Sequence, residues 1–148
     1  MRKREVNMNY EDRKIVGIIA TNVEPKIALN VIGHLAISIG QYSDAEIMGK
    51  KEIMDKSNIS HLGISKFPFI ITKVKSAKLR KAIDLAKSNP NLLVADYPKD
   101  MLETRTDEEL VESVGNKENE ELEYLGAIIY GSTKDVNDIT GKFQLWDL

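Results

Sequence analysis

Short continuous apolar runs alternate along this chain with segments whose apolar residues recur every three or four positions. Lys14-Ile15-Val16-Gly17-Ile18-Ile19-Ala20 is rich in β-branched residues and predicts a strand buried on both faces. Thr21 to Glu24 form a short loop. Pro25 suits the first position of a helix, and Ala28, Val31, Ile32, Leu35, Ala36 and Ile39 then fall on one helical face, with Gly40 as a stop. Ile27, Leu29 and Ile37 add apolar groups elsewhere and predict that this helix is covered on more than one side. Residues 41–66 carry little pattern: Ala45–Met48 reads as a short strand and Asp55–Ser65 as an excursion loop. A second strand is expected over Phe67–Val74, and then a helix capped by Ser76 with Leu79, Ala82, Ile83 and Ala86 buried. Asn89-Pro90-Asn91 stops it, and Leu92–Ala95 is a third buried strand. Short connections around this helix predict a right-handed parallel crossover. A charged helix follows at 106–114, then a polar loop at 116–121 and a fourth strand over Leu122–Tyr130. Ser132 and Asp135 approximate a capping box for a last short helix ended by Gly141, and Phe143–Trp146 is extended. The order of elements predicts an α/β domain of three layers.

Composition narrows the class. The 148 residues, 42% hydrophobic, suit one domain over 13–148 preceded by a flexible polar segment, 1–12. No apolar run reaches the length of a membrane span, and the basic start Met1–Arg4 is not followed by the apolar stretch of a secretory signal. The chain has no cysteine, which removes disulfides, thiol catalysis and cysteine-held metals. These features predict a cytoplasmic protein. The net charge of −2 conceals a skew. Residues 50–99 carry eleven Lys/Arg against four Asp/Glu, whereas 103–123 carry nine Asp/Glu against two Lys/Arg. The basic stretch either faces an anionic ligand or decorates solvated helix faces.

Candidate chemistry gathers near two places. Asp96 ends a buried strand, where ligands collect in open α/β sheets, and a carboxylate beside apolar strands is suited to act as a general base. Asp100, four residues on, is close enough to share a site and to push one of the two pKa values up. Turn formation around Pro98 is the plain structural alternative for both. Lys26, in the first turn of its helix, opposes the helix dipole unless an anion binds there; the alternative is a solvated lysine. Lys73 either points into the same crevice or snorkels at the sheet edge. Asn30 and His34 share one helix face. Asn30 is expected to be a buried amide that orients a site water or pins the loop at Thr21-Asn22, which brings Asn22 into the ligand-binding set. His34 is a general base by type and a packed structural histidine otherwise. No Gly-rich phosphate loop, Gly-x-Ser-x-Gly elbow or His-Glu-x-x-His is present, so no metal and no cofactor is expected.

Three segments carry a resemblance: Pro25–Gly40 with its Leu29-Asn30 pair, Val94-Ala95-Asp96-Tyr97-Pro98-Lys99-Asp100-Met101, and Asp135–Leu145. Over residues 13–147 the chain resembles a bacterial domain family of unknown function whose fold is similar to that of the type II peptidyl-tRNA hydrolases. The resemblance implies a four-stranded mixed sheet with helices on both faces, and a homodimer. Where those hydrolases carry Gly-Lys, Ala-Ala-Gln and Asp-Ala-Gly-x-Thr-Gln, this chain has Pro25-Lys26, Ala28-Leu29-Asn30 and Asp96-Tyr97-Pro98-Lys99-Asp100-Met101. Three functions follow as expectations. The first is binding of a small or anionic ligand in a crevice between the first helix, Lys73 and the Asp96–Asp100 loop. The second is a hydrolase acting on peptidyl-tRNA, with Asp96 as base and Lys26 positioning the substrate. The third is a protein-binding module using the acidic 103–123 region.

Overall fold

A computed structural model of the chain describes residues 10–148. The element order is β1 (Arg13–Ala20), α1 (Pro25–Tyr42), β2 (Glu52–Met54), β3 (Ser60–Leu62), β4 (Phe69–Val74), α2 (Ser76–Lys87), β5 (Leu93–Pro98), α3 (Asp100–Glu103), α4 (Asp107–Gly115), β6 (Tyr124–Ser132), α5 (Thr133–Thr140) and β7 (Gln144–Leu145). Single 3₁₀ turns lie at Ala45–Ile47 and Asn119–Glu121. The segment expected to be flexible, 1–12, lies largely outside the described residues. Within them, the Asp12 carbonyl accepts the Thr133 N–H at 3.0 Å.

The main sheet has five strands in the order β5-β6-β1-β4-β7, not the four expected. The fifth is the closing segment. Its extended backbone pairs with β4 in the register Thr72–Leu145 and Lys73–Gln144, and the Trp146 N–H donates to the Ile71 carbonyl at 2.9 Å. β1 runs parallel to β4 and antiparallel to β6, and β5 is antiparallel to β6, so β4 and β5 are parallel with two strands between them. Two further expectations fail locally. Ala45–Ile47 is a 3₁₀ turn because the Asp44 side chain accepts the Glu46 N–H and caps it. The supposed excursion loop holds a small second sheet, β2 paired with β3, which is exposed throughout.

Strand alternation divides the core between the two faces of the main sheet. Val16, Ile18 and Ala20 point to a cluster with Leu79, Ala82, Ile83 and Ala86 of α2 and Val136 of α5. Ile15 and Ile19 point the other way, to Ala28, Val31, Leu35 and Ile39 of α1. Each such buried isoleucine contributes about 1.5–3 kcal/mol. In β6 the alternation slips: Tyr124 and Ala127 face α2, while Leu125 and Ile128 face α1. The cause is a bulge, since Tyr97 pairs with Gly126 but Pro98 pairs with Tyr124. α1 is buried on one face only. Leu29 and Ile37 are exposed, contrary to the expectation that it is covered on several sides. No helix among the described residues is long and apolar enough to cross a membrane.

Candidate functional site: a lysine-lined cleft at the strand ends

The chain leaves parallel neighbours β1 and β4 in opposite directions. After β1 it enters α1, which packs on one face of the sheet; after β4 it enters α2, which packs on the other. Divergence of this kind opens a crevice beyond the carboxyl ends of the two strands, the place where open α/β sheets bind ligands. A cleft of about 600 Å³ lies there, lined by Thr21, Lys73, Val74, Lys75, Ala77, Lys78, Lys142, Phe143 and Gln144. Its base is closed by the Thr21 N–H, which donates to the Val74 carbonyl at 2.9 Å.

Four of those nine residues are lysines and none is acidic. Lys73 comes from the end of β4 and is paired with Asp147 across the sheet edge. Lys75 and Lys78 come from the start of α2, and Lys142 from the turn after α5. Lys78 Nζ stands 5.9 Å from the centre of the Phe143 ring. The helix start itself is unusual. Lys75, not Ser76, is the N-cap residue, its side chain caps nothing, and the first turn of α2 contains no acidic residue. The N–H groups of Ser76 and Ala77 have no acceptor within the helix and carry its positive end. Cations placed there repel that end, and an anion relieves both effects at once.

The residues singled out from sequence do not converge. Lys26, Asn22 and Asn30 are all exposed, so Asn30 is not the buried amide expected of it. His34 is exposed as well, with its ring 6.2 Å from that of Tyr97 on the α1 face of the sheet. Asp96 points to the opposite face. Its Oδ2 pairs with Lys87 Nζ at 2.6 Å, and its side chain is 19% exposed. Burial works against the Lys87 charge, but the hydrogen bond and charge of Asp96 outweigh it and raise the lysine pKa.

Asp100 has separate partners. Its side chain is 1% exposed and its Oδ2 accepts from Lys117 Nζ at 2.7 Å and Ser113 Oγ at 2.5 Å. The Lys117 hydrogen bond, then that of Ser113, hold the Asp100 carboxyl below the usual carboxylate range. This is the reverse of the upward shift expected of a carboxylate pair. Asp100 ties α4 to the end of β5. Of the seven residues, only Lys73 lines the cleft. Lys75, Lys78, Lys142 and Phe143 were missed. The signal for Lys75 and Lys78 is the basic excess of 50–99 and the Lys73-x-Lys75-x-x-Lys78 spacing across a strand-to-helix turn; Lys142 and Phe143 lie outside both.

Residues 13–147 match the family described as "Protein of unknown function (DUF2000)". The chain belongs to this family. It is also similar in structure to a protein of unknown function from Agrobacterium tumefaciens strain C58, with a TM-score of 0.79 and 20% sequence identity, covering 92% of this chain and 98% of that one. That likeness shows a shared fold. No curated protein matches the sequence. The DUF2000 match spans the whole cleft, from Thr21 to Gln144.

Proposed function

We propose that this DUF2000 domain binds a small anionic molecule in the lysine-lined cleft at the carboxyl ends of β1 and β4. The observation that carries the reading is the start of α2. Lysine replaces the usual Ser, Thr, Asp or Asn at the N-cap, a second lysine follows in the first turn, and the helix end opens onto a cleft with two more. Local sequence rules are broken in folded proteins mainly at functional sites, and this break has an evident gain when an anion is bound.

Calorimetric titration with inorganic phosphate at low salt tests it. The wild-type protein is expected to bind at one site. Lys75→Ala and Lys142→Ala are each expected to weaken binding about tenfold, the order of a lost charge-assisted contact. Retained affinity in the double variant would sink the proposal.

A second reading follows from the resemblance to type II peptidyl-tRNA hydrolases. Its support is Asp96, a shielded carboxylate near the end of β5. In that reading Asp96 activates water against an acyl ester. The remaining residues that the resemblance nominates lie elsewhere: Lys26 on exposed α1 surface and Asp100 in its buried ion pair. Hydrolysis of an N-acyl-aminoacyl-tRNA by the wild type, lost in Asp96→Asn, is the result this second reading requires.

A further inference from the structure

A second concavity adjoins the cleft. A groove of about 220 Å³ runs between α2 and α5, lined by Lys78, Lys81, Ala82, Leu85, Ile139 and Phe143. Lys78 and Phe143 belong to both spaces, so the two meet at the point where the lysine ammonium stands over the phenylalanine ring. The cleft is cationic, whereas the groove is floored by Ala82, Leu85, Ile139 and Phe143. Leu85 is 48% exposed on an otherwise lysine-rich helix surface.

On the reading that the cleft binds an anion, we infer that its ligand is a phosphate monoester carrying a ring-sized apolar group. The phosphate sits among Lys73, Lys75, Lys78 and Lys142, and the apolar group lies along Leu85, Ile139 and Phe143. Charge and size select this class. A phosphate monoester brings nearly two negative charges and three acceptor oxygens at neutral pH, which matches several ammonium groups and a helix start better than the single charge of a carboxylate. An apolar cavity of about 150 Å³ is enough to hold a benzene ring, so the groove has room for one. Phe143 offers a ring face or edge to an aromatic group, and Lys78 adds a cation at the junction.

Phenyl phosphate, methyl phosphate and inorganic phosphate serve as probes in parallel calorimetric titrations of the full chain. Phenyl phosphate is expected to bind about tenfold tighter than the other two, the scale set by burying a small apolar group. Leu85→Gln changes an exposed side chain that lines the groove alone. It is expected to bring phenyl phosphate to within about twofold of inorganic phosphate, at an unchanged affinity for the latter. Equal binding of all three probes by the wild type would overturn the inference and leave the cleft reading standing. A phenyl phosphate preference that survives Leu85→Gln would also overturn it, by placing the apolar group elsewhere. Failure of all three probes to bind would remove the cleft reading itself, and this inference with it.

Discussion

Lys75 stands where a helix start ordinarily carries Ser, Thr, Asp or Asn. Ser76, one position later, has the right chemistry for a cap, but β4 continues to Val74 and leaves Lys75 at the boundary. Lys75→Asp is therefore expected to raise stability by about 0.5–1 kcal/mol, by restoring a cap and an acidic group at the positive end of α2. The same change is expected to abolish phosphate binding. Thermal unfolding and titration of one variant together check that stability and binding move in opposite directions. Asp100 makes the contrary case, a residue chosen for chemistry that serves the fold. Asp100→Ala strands Ser113 and Lys117 and is expected to cost about 1–3 kcal/mol in denaturant unfolding. Its pKa is lowered in the folded state, so its contribution is fully present above the unfolded carboxylate value of about 3.9 and is lost as pH falls through the folded value. The wild type is thus expected to lose stability more steeply than Asp100→Asn below about pH 4. Parallel acid-unfolding curves for the two proteins would contradict this.

The strands buried on both faces and the amphipathic helices were legible because periodicity reports burial directly: Val16, Ile18 and Ala20 against Ile15 and Ile19, or Leu79, Ala82, Ile83 and Ala86 on α2. Less legible were elements fixed by pairing alone. The extended form of the closing segment is legible but its pairing with the free edge of β4 as a fifth strand is not, and β2 and β3 form a ladder exposed throughout. The bulge in β6 was equally hidden, since Tyr124-Leu125-Gly126-Ala127 reads as an unbroken apolar run. Gly126 has a specific place in it. A Cβ there would meet the Ile18 carbonyl oxygen at 2.9 Å and Val31 Cγ1 of α1 at 2.9 Å, so only glycine lets α1 lie this close to the sheet. Gly126→Ala is expected to destabilise the domain by about 1–3 kcal/mol, measured by equilibrium unfolding. A loss below about 0.5 kcal/mol would mean that α1 shifts without cost.

At the scale of the whole molecule, sheet order decides where function can reside. The expected crevice joined α1 to the Asp96–Asp100 loop, but β6 and β1 separate β5 from β4, and Asp96 and His34 face opposite sides of the sheet. Sequence proximity cannot report such facing. The parallel pair β1 and β4, with α1 and α2 diverging from its end, is the place where backbone geometry, charge and open space coincide. The basic excess of residues 50–99 also acquires a local meaning there, through Lys73, Lys75 and Lys78. The most direct test is an amide-resolved NMR titration of the wild-type protein with inorganic phosphate. Saturable shifts are expected at Ser76, Ala77 and Thr21, with little change at the amides of Lys26–Asn30 or of Asp96, Tyr97 and Lys99–Met101. Shifts centred on the Asp96 loop or the start of α1, or none at any amide, would contradict it.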